Sequence, residues 1–185
     1  MKKLALLALV GSAAAAPPNA VEEVALKARE AAAVVVPVQI DWPAAEAARA
    51  ADGGAILPES LQKQADALRL PVLLPASLAG SARLVAGPTW YAATLPTDGA
   101  QVVLHAFGHT HVRPELLAEQ KAAGYGSGEP RVSRVHALLQ VAFERFGLAF
   151  TLDVECASPE TDPRCSDPAW ALGLVDDLVV VGGRP

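Results

Sequence analysis

The stretch TWYAATLPTDGAQVVLHAF, Thr89 to Phe107, decides how this chain folds. Two runs of apolar and small residues, WYAATLPT and AQVVLHAF, flank Asp98-Gly99, a dipeptide that favours tight chain reversal because glycine takes left-handed backbone angles without steric cost. The pattern predicts an antiparallel hairpin. In its second run Val102, Leu104 and Ala106 share one side of the strand, while His105 and Phe107 take the other.

Moving outward, LLQVAF and LAFTLDVEC flank Glu144 to Gly147 and read as a second hairpin. Leu148, Phe150, Leu152 and Val154 alternate with Thr151, Asp153 and Glu155, as in a sheet with one wet face. The two hairpins are alike in pattern, but their residue identity is too low to establish a duplication. PVLLPA and ARLVA are short strand-like runs upstream. Helices are expected over residues 20–35 (AVEEVALKAREAAAVV), 44–51, 58–70, 114–123 and 168–178, the last capped by Asp167 with Trp170, Leu174 and Leu178 recurring every fourth residue. VVVPVQIDWP should be extended, GYGSGEP a loop, and VVVGG a terminal strand end. This order predicts an α+β domain: an antiparallel sheet with flanking helices and an Ala-rich N-terminal helical segment.

The start, MKKLALLALVGSAAAAPP, has the three parts of a secretory leader: Lys2 and Lys3, an apolar run from Leu4 to Val10, and small residues after it. The run is well short of the roughly 20 residues that span a bilayer. Ala13 and Ala15 satisfy the cleavage pattern and make Ala16 the first mature residue, with Ala14 as the competing site. The expected organisation is a signal peptide at 1–15, an Ala-rich helical and linker region at 16–55, and one α+β domain at 56–185. The expected location is the periplasm or the medium, with no membrane span after leader removal. The whole chain has net charge −5, and loss of Lys2 and Lys3 leaves 13 basic against 20 acidic residues. Such a chain lacks the clustered cations that bind nucleic acid or anionic lipid.

Cys156 and Cys165 are the only cysteines. In an oxidising compartment they have one possible pairing, whereas redox-active pairs usually stand as C-x-x-C at a helix start. A structural disulfide is expected.

Three of the four histidines fall in HAFGHTHVRPE: His105, His109 and His111. On an unbroken strand all three share a face, with His109 and His111 about 7 Å apart along it. Two such imidazoles can reach one ion, and neutral imidazole suits zinc, copper or nickel. His105 joins only if the strand bends at Gly108; Asp153 or Glu155 on a neighbouring strand is the alternative third ligand. FGHTHVRPE resembles the last metal-binding motif of calcineurin-like metallophosphoesterases, in which residues at the positions of His109 and His111 are ligands. The D-x-H, G-D-x-x-D and G-N-H-[DE] motifs that complete that two-metal site are missing, and no histidine precedes His105, so the family is rejected.

No G-x-S-x-G elbow is present, and the glycines at 124, 126 and 128 follow a helix without the Lys-Ser/Thr of a phosphate loop. Asp153 with Glu155, and Asp176 with Asp177, are carboxylate pairs that a solvated face supplies without catalysis. His136 beside Arg131 and Arg134 reads as structural, and Trp42, Trp90, Tyr91 and Trp170 as core or strand anchors. The end of the chain, FGLAFTLDVECASPETDPRC with the helix and VVVGGRP after it, resembles the C-terminal part of uncharacterised exported proteins of Gram-negative bacteria. That likeness covers about a quarter of the chain and implies an exported α+β domain with a structural disulfide. The expected function is a non-enzymatic periplasmic module without a cofactor, binding an envelope protein or a small ligand. The alternative is a metal-binding protein or metallohydrolase that holds zinc or a similar divalent transition metal on His105, His109 and His111.

Overall fold

A computed structural model describes residues 34–53, 57–122 and 128–185. The expected leader, the expected helix up to residue 33 and the start of the glycine-rich loop lie outside the described residues. Val34 and Val35, assigned by spacing to the end of that helix, instead begin strand β1 (Val34–Pro37). A β-branched run before proline favours extended backbone.

After β1 come α1 (Trp42–Ala51), α2 (Glu59–Asp66), β2 (Val72–Pro75), β3 (Arg83–Gly87), β4 (Trp90–Thr97), β5 (Ala100–Phe107) and β6 (His109–Val112). Then follow α3 (Leu117–Ala122), β7 (Arg131–Val135), β8 (Leu138–Arg145), β9 (Leu148–Cys156), α4 (Pro163–Ser166), α5 (Ala169–Asp176) and β10 (Leu178–Gly182). The α+β class and the antiparallel sheet are as the sequence indicates. Several helices are shorter than their patterns: α2 stops at Asp66, and Pro114–Leu116 is a 3-10 turn ahead of α3. No described helix is long and apolar enough to cross a membrane.

Six strands form one antiparallel sheet in the order β3-β4-β5-β9-β8-β7, and two ribbons, β1–β6 and β2–β10, stand apart from it. The large sheet is two three-stranded meanders joined edge to edge. Each strand of the second begins 48 residues after its counterpart (83 to 131, 90 to 138, 100 to 148). Both expected hairpins are present. Asp98-Gly99 joins β4 to β5 with Gly99 at φ 71°, and Phe146-Gly147 joins β8 to β9 with φ values of 54° and 77°. Gly147 has a second constraint, since a Cβ there would collide with the carbonyl of Gln39. That close approach lets Asp41 N–H donate to the Phe146 carbonyl (3.0 Å) as the chain passes from β1 to α1.

One side of the sheet is the core. Tyr91, Ala93 and Leu95 of β4, Val102, Leu104 and Ala106 of β5, Leu139, Val141 and Phe143 of β8, and Leu148, Phe150, Leu152 and Val154 of β9 are all buried. Over them lies the β2–β10 ribbon, whose Val72, Leu73 and Leu74 are no more than 1% exposed. Helices α1 and α2 pack on β10, and α5 contacts β2, β8 and β9. Gly182 permits the closest of these approaches, because a side chain there would run into Ala65. Arg49 and Gln62 both bond Asp66 (2.9 and 3.0 Å), and Gln62 also donates to the Val181 carbonyl (2.8 Å), which ties α1, α2 and β10 together.

Tyr91 links sheet to ribbon. Its fully buried hydroxyl oxygen accepts the Leu73 N–H at 2.9 Å, satisfying a donor on the side of β2 that faces away from β10. At the other end of the sheet Cys156 and Cys165 are bridged, as expected. The loop they close is also held by Arg164, which pairs with Asp162 (2.6 Å) and donates to the Asp98 carbonyl (2.5 Å), fastening it to the first hairpin turn.

Two stability predictions follow from this core. The Cys156→Ser/Cys165→Ser double variant should lose roughly 2 to 3 kcal/mol in urea unfolding; a loss below about 1 kcal/mol would mean that the Asp162–Arg164 clamp suffices. Tyr91→Phe strands the Leu73 N–H and should cost about 1 to 3 kcal/mol at neutral pH. Burial holds the Tyr91 phenol well above its ordinary value of 10.0, so only the unfolded chain ionises it as pH first rises past that point. The contribution of Tyr91 to stability is therefore intact below pH 10 and falls above it. Urea titrations from pH 9 to 11.5 should show a shallower decline for Tyr91→Phe than for wild type.

Candidate functional site

The alternation that buries one side of the sheet delivers the opposite set of side chains to the other side. Reading across the paired strands, one row is Val85, Ala92, His105, Thr151, Ala142 and Arg131. The adjacent row is Arg83, Thr94, Val103, Asp153, Gln140 and Ser133. None of these side chains is buried. The face is apolar at its margins, where Val85 is 62% exposed, Val135 50%, and the cross-strand neighbours Trp90 and Phe107 37% and 36%. Trp90 is positioned by Gly87, the opposing residue of β3, whose missing side chain leaves room for the indole.

Polar groups gather at the middle, on the β5–β9 seam. His105 Nε2 lies 3.6 Å from Asp153 Oδ2, and Gln140 Nε2 donates to Asp153 Oδ1 at 2.9 Å. The first distance is too long for a hydrogen bond, so the contact is electrostatic when the imidazole is protonated. Asp153 and His105 are symmetry mates in the two meanders, separated by the same 48 positions (105 to 153).

The three candidate histidines do not form one cluster. The strand breaks at Gly108, where β5 leaves the sheet and β6 pairs with β1 instead: His109 faces Pro37 and His111 faces Val35. A side chain at Gly108 would strike Leu70 and the Thr89 carbonyl, and its N–H donates to that carbonyl at 2.7 Å, so the break is fixed by packing. His105 is stacked with Phe107 at 6.3 Å between ring centres, Phe107 meets His109 edge-on at 6.3 Å, and His109 meets His111 at 5.7 Å. Of the two acids considered as third ligands, Asp153 sits beside His105, while Glu155 stands opposite Gln101, farther along the seam. Among the described residues no group of three or more His, Cys, Asp or Glu side chains is arranged to hold a metal ion.

Other candidates have structural duties. Asp177 accepts from both the backbone N–H and the hydroxyl of Ser77 (2.9 and 2.5 Å), while its neighbour Asp176 is exposed. Arg134 donates to the carbonyls of Cys165 and Ser166 and steadies the disulfide loop. His136 occupies the β7–β8 turn at φ 57°. A shallow cleft of about 280 Å³ is lined by Ala48, Asp52, Arg145, Phe146, Leu178 and Val180. The Arg145 guanidinium there already donates to the Val175 and Leu178 carbonyls near the end of α5, where a cation complements the helix dipole. The open sheet face escapes motif searching because it contains no motif. The signal for it is the strand alternation, which names its members before pairing is known.

No protein-family model, curated protein or solved structure matches this chain.

The Gly87–Trp90 contact makes a direct check of the margin of this face. Gly87→Ala should displace the indole and cost about 1 to 3 kcal/mol, as overpacking does. Gly80→Ala, where a Cβ meets nothing within 4 Å, should change urea stability by less than about 0.5 kcal/mol. Equal stabilities for the two variants would show that Trp90 is free to move aside.

Proposed function

We propose that this protein is an exported, non-enzymatic binding module of the bacterial envelope that receives a protein or small ligand on the open face of its six-stranded sheet. One observation carries the reading: every side chain on that face reaches solvent, yet its margins present Val85, Trp90, Phe107 and Val135. Exposed apolar side chains in such number on one side of a sheet favour contact with another surface. The polar seam of His105, Asp153 and Gln140 would supply orientation, as a few fixed polar groups do in a largely apolar binding surface. Export is supported by the leader-like start and by a disulfide that suits an oxidising compartment.

A photo-crosslinking residue placed at Val85, Ala92 or Phe107 in cells that make the protein tests this directly. Discrete adducts from these positions, and none from the exposed controls Arg69 and Glu160, are expected in the periplasmic fraction. Adducts that are equally abundant from both sets, or none from the sheet face, would sink the proposal.

A further inference from the structure

His109 and His111 remain outside the sheet face, on a strand of their own. They are two residues apart on β6, so their rings leave the same side of the strand. Their centres are 5.7 Å apart and their planes meet at 65°. An ion held at about 2.0 to 2.1 Å by one nitrogen of each ring lies roughly 3 Å from each centre, so coordination angles from tetrahedral upward need centres about 5 to 6 Å apart. The observed separation is already in that range. Neither imidazole makes a hydrogen bond or ion pair with a described residue, which leaves their nitrogens uncommitted.

We propose that His109 and His111 form an open two-histidine chelate for a divalent late-transition metal, Cu2+ ahead of Zn2+. Imidazole is a good ligand for both ions, and copper heads the affinity order for divalent first-row metals at nitrogen and oxygen sites. Two ring nitrogens with water in the remaining positions make a mixed nitrogen and oxygen set, and adjacent positions on a tetragonal copper ion require side-chain rotation to bring the ring centres to about 4.5 Å. The backbone that carries the two rings is fixed by its own hydrogen bonds. β6 is paired with β1 along its whole length, and Gly108 is pinned on both sides, donating to Thr89 and accepting from Val38 N–H at 3.2 Å.

His105 is excluded from the chelate. The ring of Phe107 stands between it and His109, and its Nε2 faces Asp153 across the seam. The protein thus supplies two ligands, and the open positions allow a bound ion to exchange or to accept a ligand from another molecule.

The test is a Cu2+ titration of the untagged mature protein, followed by electron paramagnetic resonance and by competition with Zn2+. One equivalent of copper with two coupled ring nitrogens is expected, and zinc should displace it only in large excess. His109→Ala and His111→Ala should each weaken binding at least tenfold, with His111→Gln as a second form of the same loss, while His105→Ala and His136→Ala retain full affinity. Circular dichroism of every variant checks the fold. Failure to bind an equivalent of copper, unaltered affinity in the His109 and His111 variants, or an equal loss in His105→Ala would overturn the assignment.

Discussion

The pairing of β5 with β9 is the constraint on which the rest depends. Eight residues of β5, Ala100 to Phe107, face eight of β9, Cys156 to Ala149, in unbroken antiparallel register. Each of the two meanders is a local hairpin structure whose own pairing closes short loops. The seam alone joins them, and the two strands are separated in sequence by β6, α3, β7 and β8. Its hydrogen bonds must therefore be supported by burial: Val102, Leu104 and Ala106 stand opposite Val154, Leu152 and Phe150, all buried. A one-residue slip would turn these inward residues to solvent and bring His105, Thr151 and Asp153 into the core, which fixes the register energetically.

Equal spacing of the meanders gives the sheet an approximate twofold axis normal to its surface, and the chain departs from it where β5 and β9 end. After β5 the chain bends at Gly108 and forms the β1–β6 ribbon; after β9 it enters the disulfide loop and α5, which packs on the core. Only one side of the sheet thereby receives the β2–β10 layer. The symmetry also explains why a histidine and an aspartate meet at the centre: positions 105 and 153 are equivalent, and the axis carries equivalent positions to neighbouring sites on the seam. With unlike residues in the two halves, that proximity yields a complementary pair.

Much of the fold was legible because it rests on local signals. Asp98-Gly99 and Gly147 mark reversals through backbone conformations that glycine permits, and the alternation from Leu148 to Val154 names the core face directly. What stayed hidden depends on distant partners. RVSRV does not alternate cleanly, and β7 is a strand because Val132 and Arg134 find Val141 and Leu139 of β8 across a tight turn. The meander repeat was invisible to residue identity since a buried strand asks only for apolar volume at alternate positions: Tyr91 and Leu139, or Ala93 and Val141, serve equally. The histidines show the same limit. Spacing placed them on one face, but the break at Gly108 depends on Leu70 and Thr89, which no pattern within HAFGHTHVRPE contains.

That break separates two chemical environments that an unbroken strand would have merged. On the sheet, His105 is flanked by β4 and β9, and Asp153 with Gln140 sets its electrostatic surroundings. On the ribbon, His109 and His111 are paired across the strands with Pro37 and Val35 of β1, neither of which offers a side-chain hydrogen bond or a charge. Gly108 thus keeps the proposed chelating pair off the β5–β9 seam, and it does so through its packing against Leu70 and its hydrogen bond to Thr89. The broad face and the small chelate can serve different ligands because the strand that connects them changes partners between Phe107 and His109.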